Sequence, residues 1–183
     1  MEDVLEVYQR PRDPDRPLVC LDETTKQLIK ETRVPIPARR GQPARHDYEV
    51  TDRRTAVDYA QILKALSDRH FPAASKIVLV QDNLSTHKPA SLYEAFPPAE
   101  ARRLVERFEW HFTPKHGSWL NMAEVELSVL SSQCLDRRIP NMRTLAAEIA
   151  AWHAHRNNNH TKADWQFTTA SARIKLKRLY PAL

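Results

Sequence analysis

The chain has 183 residues, enough for one ordinary domain whose core is large enough to fold without disulfide bonds. Its 28 lysines and arginines outnumber its 23 aspartates and glutamates by five, and this net charge of +5 favours an anionic partner, nucleic acid above all. Only two glycines and two cysteines are present, and no apolar run reaches the roughly 18 residues of a membrane span. Glycine-rich nucleotide loops, a disulfide framework and a membrane partner are therefore excluded.

The first half of the chain predicts two regular regions that are separated by a stretch poor in structure. Residues 33–54 are rich in proline and arginine, and their prolines break any helix. We therefore expect only one brief strand there, near Tyr48 and Val50. The other predicted elements of this half are, in chain order, a short helix over 1–10, an extended proline-rich linker over 11–17, a buried strand over 18–21 that ends at Asp22 and Glu23, and a helix over 55–71 that begins with a capping box of Thr55 and Asp58.

The second half alternates strands and helices. Residues 77–80 form an uninterrupted apolar run rich in β-branched side chains, which is typical of a strand buried on both faces. This alternation predicts an α/β domain in which part of the sheet is parallel. The remaining predicted elements are helices near 89–96 and 98–107, an aromatic strand over 108–112, a loop over 113–118, a helix over 120–133 with Met122, Val125 and Val129 on its inner face, a helix over 142–155 capped by Asn141, and a basic helix over 168–179.

Three acidic residues stand at unusual places in this pattern. Asp22 and Asp82 each end an apolar strand, and Glu124 lies in the first turns of the helix after the 113–118 loop. Because chemistry in open α/β sheets collects at the carboxyl ends of strands, these carboxylates are candidates for one site. Converging carboxylates repel one another unless a cation neutralises them, and oxygen ligands select Mg²⁺ or Mn²⁺, of which two ions can act on a phosphodiester. The alternative is that each acid is an ordinary turn, cap or surface residue.

Glu23 and Glu126 are rivals for the same roles. Adjacent residues of a strand face opposite sides, so Asp22 and Glu23 cannot both point into one site. Glu126 lies about 200° around the helix from Glu124, so only one of these two glutamates faces the sheet.

The residues that flank the three acids connect them to a known family. The segments concerned are Cys20–Thr24, Val78–Asn83 with His87 close behind, and Thr113–Glu124. Together they resemble the DDE transposases, most closely the bacterial insertion-sequence branch of the mariner-like superfamily. The third segment, with its pattern S-x-L-N-x-x-E, is the most specific, and the resemblance covers nearly the whole chain.

The resemblance implies an α/β fold of the RNase H type, with a mixed sheet flanked by helices. It also implies that Asp22, Asp82 and Glu124 are catalytic and hold two Mg²⁺ or Mn²⁺ ions. The implied activity is cleavage of DNA strands at transposon ends, followed by joining of the freed 3′ hydroxyl to target DNA. We expect residues 1–183 to form a single catalytic domain, with a lead-in over 1–17 and a basic tail over 161–183.

Further residues are expected near the site or on DNA. Asn83, His87, Trp119 and Asn121 lie within or beside the motifs. His87 either approaches the scissile phosphate, bonds to an acid or is a simple loop residue, and Trp119 either stacks on a base or anchors the helix entry in the core. Contacts to DNA phosphates, as against ordinary solvated surface, are expected from Arg39, Arg40, Arg45, Arg173, Lys175 and Lys177.

Two departures from the family pattern bear on activity. We expect no room for the helix-turn-helix domains that read transposon ends in the family. The hairpin that usually follows the first catalytic strand is expected to be deleted between Asp22 and Thr55, which would leave the sheet incomplete. Whether the chain is an enzyme is thus open, and the alternatives are a decayed remnant that binds DNA weakly or interferes with intact transposase, and a host RNase H-like nuclease. Residues 1–10 have no signal-like apolar region, so we expect reduced cysteines and a place in the bacterial cytoplasm, at the nucleoid, with a homodimer as one assembly.

Overall fold

The computed structural model describes residues 1–26, 29–36, 45–51, 55–115, 117–137, 139–159, 167–175 and 177, and for 25–26, 29–36, 45–51 and 118 it describes the backbone alone. The strands are β1 (Leu18–Lys26), β2 (Ile29–Ile36), β3 (Arg45–Thr51), β4 (Ile77–Gln81) and β5 (Phe108–Phe112). The helices are α1 (Glu2–Gln9), α2 (Ala56–Ala65), α3 (Ala90–Ala95), α4 (Pro98–Arg107), α5 (Met122–Leu130), α6 (Met142–Asn158) and α7 (Thr169–Lys175). Two π-helical turns, Leu66–His70 and Ser131–Leu135, extend α2 and α5, and a 3₁₀ turn, Ser118–Leu120, precedes α5.

The five strands form one mixed sheet in the order β3-β2-β1-β4-β5. β4 runs parallel to β1 and β5, whereas β2 pairs antiparallel with β1 and β3. Helices pack on the parallel part, so the predicted α/β fold with a mixed sheet flanked by helices is confirmed. That parallel part is small, with three strands, which is consistent with an incomplete RNase H-like fold.

The hairpin that was expected to be deleted is present, and its strands are β2 and β3. β2 pairs with β3 from Lys30 to Ile36, so the expectation of little structure is wrong for 33–36, whereas the brief strand expected near Tyr48 and Val50 is present as β3. The prolines of this stretch exclude a helix but not β2. Pro35 lies beyond the last β1–β2 pair, Asp22 with Arg33, so its missing N–H breaks no bond to β1.

β1 changes partner along its length. Leu18 to Leu21 pair in parallel with β4, and Asp22 to Lys26 pair antiparallel with β2. The predicted strand end at Asp22 is therefore wrong. The apolar run ends at Leu21, which is also the last residue of β1 that pairs with β4. The backbone continues as a strand beyond it, paired with β2.

Alternating side chains of β1 and β4 enter two cores on opposite faces of the sheet. Every residue of β4 is buried, as its apolar run predicts. The core formed with α2, α3 and α4 takes Val19, Leu21, Ile77 and Leu79, and the core formed with α1, α7 and the start of α5 takes Leu18, Cys20, Val78 and Val80. The lead-in is thus part of the second core, since α1 buries Val4, Leu5 and Val7 there.

The other predicted elements agree with the structure to within a few residues. The Thr55–Asp58 capping box is formed, and Asn141 caps α6 by accepting the N–H of Thr144 at 2.9 Å. The predicted helix over 168–179 is α7, and residues 176, 178 and 179 lie outside the described part of the chain. Cys20 and Cys134 are both buried. Among the described helices, none is long and apolar enough to cross a membrane.

The predicted inner face of α5 needs a correction. Val125 is half exposed, and the buried side chains of α5 include Met122, Leu127 and the charged Glu126. Glu126 is buried because Arg156 of α6 donates a hydrogen bond to it at 2.7 Å. An ion pair therefore occupies the face that apolarity alone assigns to Val125.

Asn121 joins the start of α5 to the sheet. Its side-chain oxygen accepts the N–H of Ala123 at 3.2 Å and so caps the helix. Its side-chain nitrogen donates to the carbonyl of Leu21 in β1 at 2.8 Å. The amide is fully buried, so no water can replace either bond. It fixes the first turn of α5 beside the point where β1 changes partner.

We expect Asn121→Ala to lower the free energy of unfolding by about 2–4 kcal/mol, because it removes a cap and leaves the Leu21 carbonyl buried without that donor. Urea denaturation of wild type and variant measures this loss. Asn141→Ala is the matched control, since Asn141 is an exposed N-cap asparagine, and its loss should be only about 1 kcal/mol. Equal losses in the two variants would show that the bond to Leu21 contributes nothing.

Candidate active site

Asp22 and Asp82 lie side by side on neighbouring strands. Leu21 is in register with Gln81, so each aspartate is the next residue along its own chain in a parallel pair. By alternation, Asp22 continues the face of Leu18 and Cys20, and Asp82 continues that of Val78 and Val80. That face carries the start of α5, whose first turn contains Glu124. The structure thus brings the three predicted acids to one region.

Burial and neighbouring charges act together on Asp22. The residue is only 7% exposed, and this burial is the largest of the causes that together raise the pKa of its carboxyl group to about 7. The N–H of Glu23, which donates to Asp22 Oδ1 at 2.8 Å, opposes the rise in pKa. The negative charges of Asp82 and Glu124 raise the pKa further, and His87 lowers it. Asp82 and Glu124 are therefore close enough to Asp22 to affect its charge.

Glu124 and Glu126 are separated by the turn of α5, as their spacing predicts. Glu126 points to α6 and pairs with Arg156, with a nitrogen–oxygen distance of 2.7 Å. Glu124 Oε2 is buried and accepts no hydrogen bond from any group in the described part of the chain. Of the two glutamates, Glu124 is thus the one whose charge acts on Asp22 and whose buried oxygen still lacks a donor.

A network of buried polar side chains contacts Asp82 through His87. His87 Nδ1 contacts Asp82 Oδ1, so among the alternatives for His87 the structure has the bond to an acid. Tyr59 packs on the His87 ring at 4.8 Å between centroids, and its hydroxyl donates to Gln81 Oε1 at 2.7 Å. Gln81 Nε2 donates in turn to the His87 carbonyl at 3.1 Å. Sequence reasoning missed Tyr59 and Gln81, although a glutamine that extends an apolar strand is itself a signal of a buried polar contact.

The chemistry of these donors fits a hard divalent cation. Carboxylate oxygens are the ligands that Mg²⁺ and Mn²⁺ prefer. A buried acceptor without a partner is costly, and Glu124 Oε2 is such an acceptor. Within the described residues no three histidine, cysteine, aspartate or glutamate side chains are grouped closely enough to hold a metal ion. The three carboxylates thus lie in one region, but their side chains are not close enough together to coordinate one metal ion.

The other residues predicted near the site take different positions. Asn83 is exposed directly after Asp82, and Asn121 is the buried amide that joins α5 to β1. Trp119 is 43% exposed, so it is not a core anchor of the helix entry.

The predicted phosphate contacts are described only in part. Arg173 makes two hydrogen bonds to Glu2, at 2.7 and 2.9 Å, which reduces its freedom to meet a phosphate. Lys175 and Lys177 are exposed. Arg39, Arg40 and the side chain of Arg45 lie outside the described residues.

The raised pKa of Asp22 predicts how stability depends on pH in metal-free buffer. Since the carboxyl group binds its proton more tightly in the folded than in the unfolded chain, the folded state holds more protons between about pH 4 and pH 7. The free energy of unfolding should therefore fall as the pH rises through this range, with a contribution from Asp22 of up to about 1.4 kcal/mol per pH unit.

Asp22→Asn keeps an oxygen for the Glu23 N–H and should remove this contribution. Urea titrations with EDTA at several pH values measure the difference in slope between variant and wild type. Glu94→Gln, the same loss of charge at an exposed position of α3, should keep the wild-type slope. Parallel curves for wild type and Asp22→Asn would contradict the prediction.

A comparison with protein families matches the part of the chain that contains two of the three acids. The family model described as DDE superfamily endonuclease matches residues 48–146, more than half of the 183. The matched range contains Asp82 and Glu124 and begins after Asp22. No curated protein matches the chain. The chain therefore belongs to the DDE superfamily endonucleases, a family of nuclease and transposase type whose implied substrate is DNA.

Proposed function

We propose that this protein cleaves DNA strands at transposon ends and transfers the freed 3′ end to target DNA, with Asp22, Asp82 and Glu124 holding two Mg²⁺ or Mn²⁺ ions. The observation that carries the proposal is the crowding of three carboxylates from β1, from the end of β4 and from α5 on one face of the sheet. Such crowding destabilises an isolated protein and is compensated when cations bind between the charges.

Each acid has a distinct support in this role. Asp22 is fixed by the pairing of β1 and by the Glu23 N–H. Asp82 is oriented by buried His87, so its carboxylate keeps one direction. Glu124 brings a buried oxygen that still lacks a donor. Divalent ions bound there would supply a lowered pKa for the attacking water or 3′ hydroxyl and charge neutralisation at the leaving oxygen.

The finer assignment is to the bacterial insertion-sequence branch of the mariner-like superfamily. It is supported by the acid pair Asp22–Glu23, by His87 five residues after Asp82 and by the loop of residues 113–124. On this proposal the partners are transposon ends, target DNA and a second copy of the chain, and the protein acts at the nucleoid in the cytoplasm. Residues 1–183 act as one catalytic domain, with the basic tail over 161–183 near DNA.

A cleavage assay tests the proposal directly. Purified wild type with Mg²⁺ or Mn²⁺ should nick a duplex whose sequence is taken from an inverted repeat in the DNA that flanks the coding sequence. Asp22→Asn, Asp82→Asn and Glu124→Gln should each lose at least roughly 100-fold in rate, because bound metal contributes several kcal/mol to such transition states. Glu94→Gln, on exposed α3, serves as the control and should cleave like wild type.

Metal binding is measured separately, by the melting temperature with and without Mn²⁺. Wild type should melt at a higher temperature with Mn²⁺, and the three site variants should lose that shift. Equal cleavage by wild type and all variants would point to a contaminating nuclease. DNA binding by wild type with neither cleavage nor a metal-dependent shift would favour the non-catalytic remnant instead.

DNA binding itself should depend steeply on salt, because phosphate contacts release counterions, with a slope of about −0.9 per phosphate neutralised. Replacing both Lys175 and Lys177 by Gln should flatten that slope by up to about two units, whereas Arg173→Gln should change it less because Arg173 already pairs with Glu2. Fluorescence anisotropy over a salt series measures the slopes. Arg69→Gln, an exposed charge in the turn after α2, is the control, and an unchanged slope in the double variant would exclude these lysines from the interface.

A further inference from the structure

Trp119 lies at the surface, on the turn just before α5. The loop that carries it folds back on itself, with the Gly117 N–H bonded to the Pro114 carbonyl at 2.8 Å and the Leu120 N–H bonded to the Gly117 carbonyl at 3.0 Å. A Cβ at Gly117 would lie 2.6 Å from the Pro114 ring, so this close approach requires glycine. Leu120 is fully buried, whereas its neighbour Trp119 remains 43% exposed.

A second aromatic ring and positive charge lie next to Trp119. The Phe167 ring meets Trp119 edge to face, with centroids 5.5 Å apart and an angle of 73° between the planes. Lys175 Nζ lies 5.7 Å from the centre of the Phe167 ring. Lys115, in the same loop as Trp119, is exposed. An exposed indole beside an aromatic ring and lysines suits a ligand that has both a flat ring and negative charge.

The position of this surface relates it to the acids. Trp119 is two residues from Asn121, whose side chain bonds to the Leu21 carbonyl beside Asp22. At 3.8 Å between consecutive Cα atoms, the Trp119 backbone is at most about 8 Å from that of Asn121. Since Asn121 bonds to the residue before Asp22 and Glu124 lies three positions after Asn121, a strand whose phosphate meets the acids passes within about two nucleotides of Trp119.

We propose that Trp119, Phe167 and Lys175 form a stacking platform that holds an unpaired DNA base next to the phosphate on which the acids act. This inference rests on the proposed function. Bases inside a duplex are already stacked on their neighbours, so the platform selects DNA that is frayed, tailed or single-stranded at the reacting end. Trp119 is a positioning residue, since it contacts a neighbouring base and not the reacting phosphate.

The test measures binding without cleavage, in EDTA, with two probes. One is a duplex with a short 3′ tail that contains 2-aminopurine, and the other is the same duplex with blunt ends. Wild type should bind the tailed duplex more tightly and quench the 2-aminopurine fluorescence by stacking. Trp119→Leu should bind the tailed duplex roughly 5- to 150-fold more weakly, bind the blunt duplex like wild type, and leave the fluorescence unquenched.

Two further variants keep the test decisive if Trp119→Leu misfolds. Trp119→Phe retains a ring and should recover most of the affinity and the quenching. Tyr93→Leu removes an aromatic side chain of similar exposure, 50%, from α3 and should behave like wild type. Unchanged binding by Trp119→Leu, or an equal loss on both duplexes, would overturn the inference. A wild type that discriminates between the probes but never cleaves with metal would overturn the proposed function and leave the platform standing.

Discussion

The buried amide of Asn121 is the interaction on which the geometry of the acidic region depends. A helix start and a strand are joined there by one side chain, which caps α5 with its oxygen and grips the Leu21 carbonyl with its nitrogen. Both bonds lie where water does not reach, so neither has a substitute. The distance from Glu124 to Asp22 is therefore set by a short and stiff linkage. The position of Trp119 depends on the same linkage, because Trp119 lies in the turn that leads into α5.

The acidic region costs the isolated protein stability. Asp22 is buried, and its raised pKa expresses the free energy lost when a carboxylate leaves water among other negative charges. The Glu23 N–H and His87 offset part of this cost, whereas Glu124 Oε2 has no donor among the described residues. Glu126, in contrast, is buried as the partner of Arg156 in an ion pair. The contrast between these two glutamates of one helix is the physical reason to assign function to the first and structure to the second.

The sequence predicts most of this fold because most of its signals are local. The apolar run of β4, the capping box of α2 and the prolines at the starts of helices each act within a few residues. The failures have a common cause in contacts between distant parts of the chain. Glu126 is buried only because Arg156, 30 positions away, meets it, and β2 is a strand in spite of Pro35 because its partners β1 and β3 provide the bonds. The network of Tyr59, Gln81 and His87 also depends on contacts between separate elements. Its only signal in the sequence is Gln81, a polar residue at the end of an apolar strand.

Because β1 changes partner at Asp22, the position of this acid depends on both parts of the sheet. Asp22 lies at the seam between the parallel and the antiparallel parts of the sheet, so its backbone is held on one side by the helix-covered core and on the other by the hairpin. The hairpin is not separate from the helices, since β2 lies against α5 and β3 lies against α6. Opening of β2 and β3 would therefore release the backbone of Asp22 and at the same time remove a support of α5. The hairpin thus supports two of the three acids, Asp22 through the backbone of β1 and Glu124 through α5, although none of the three lies in it.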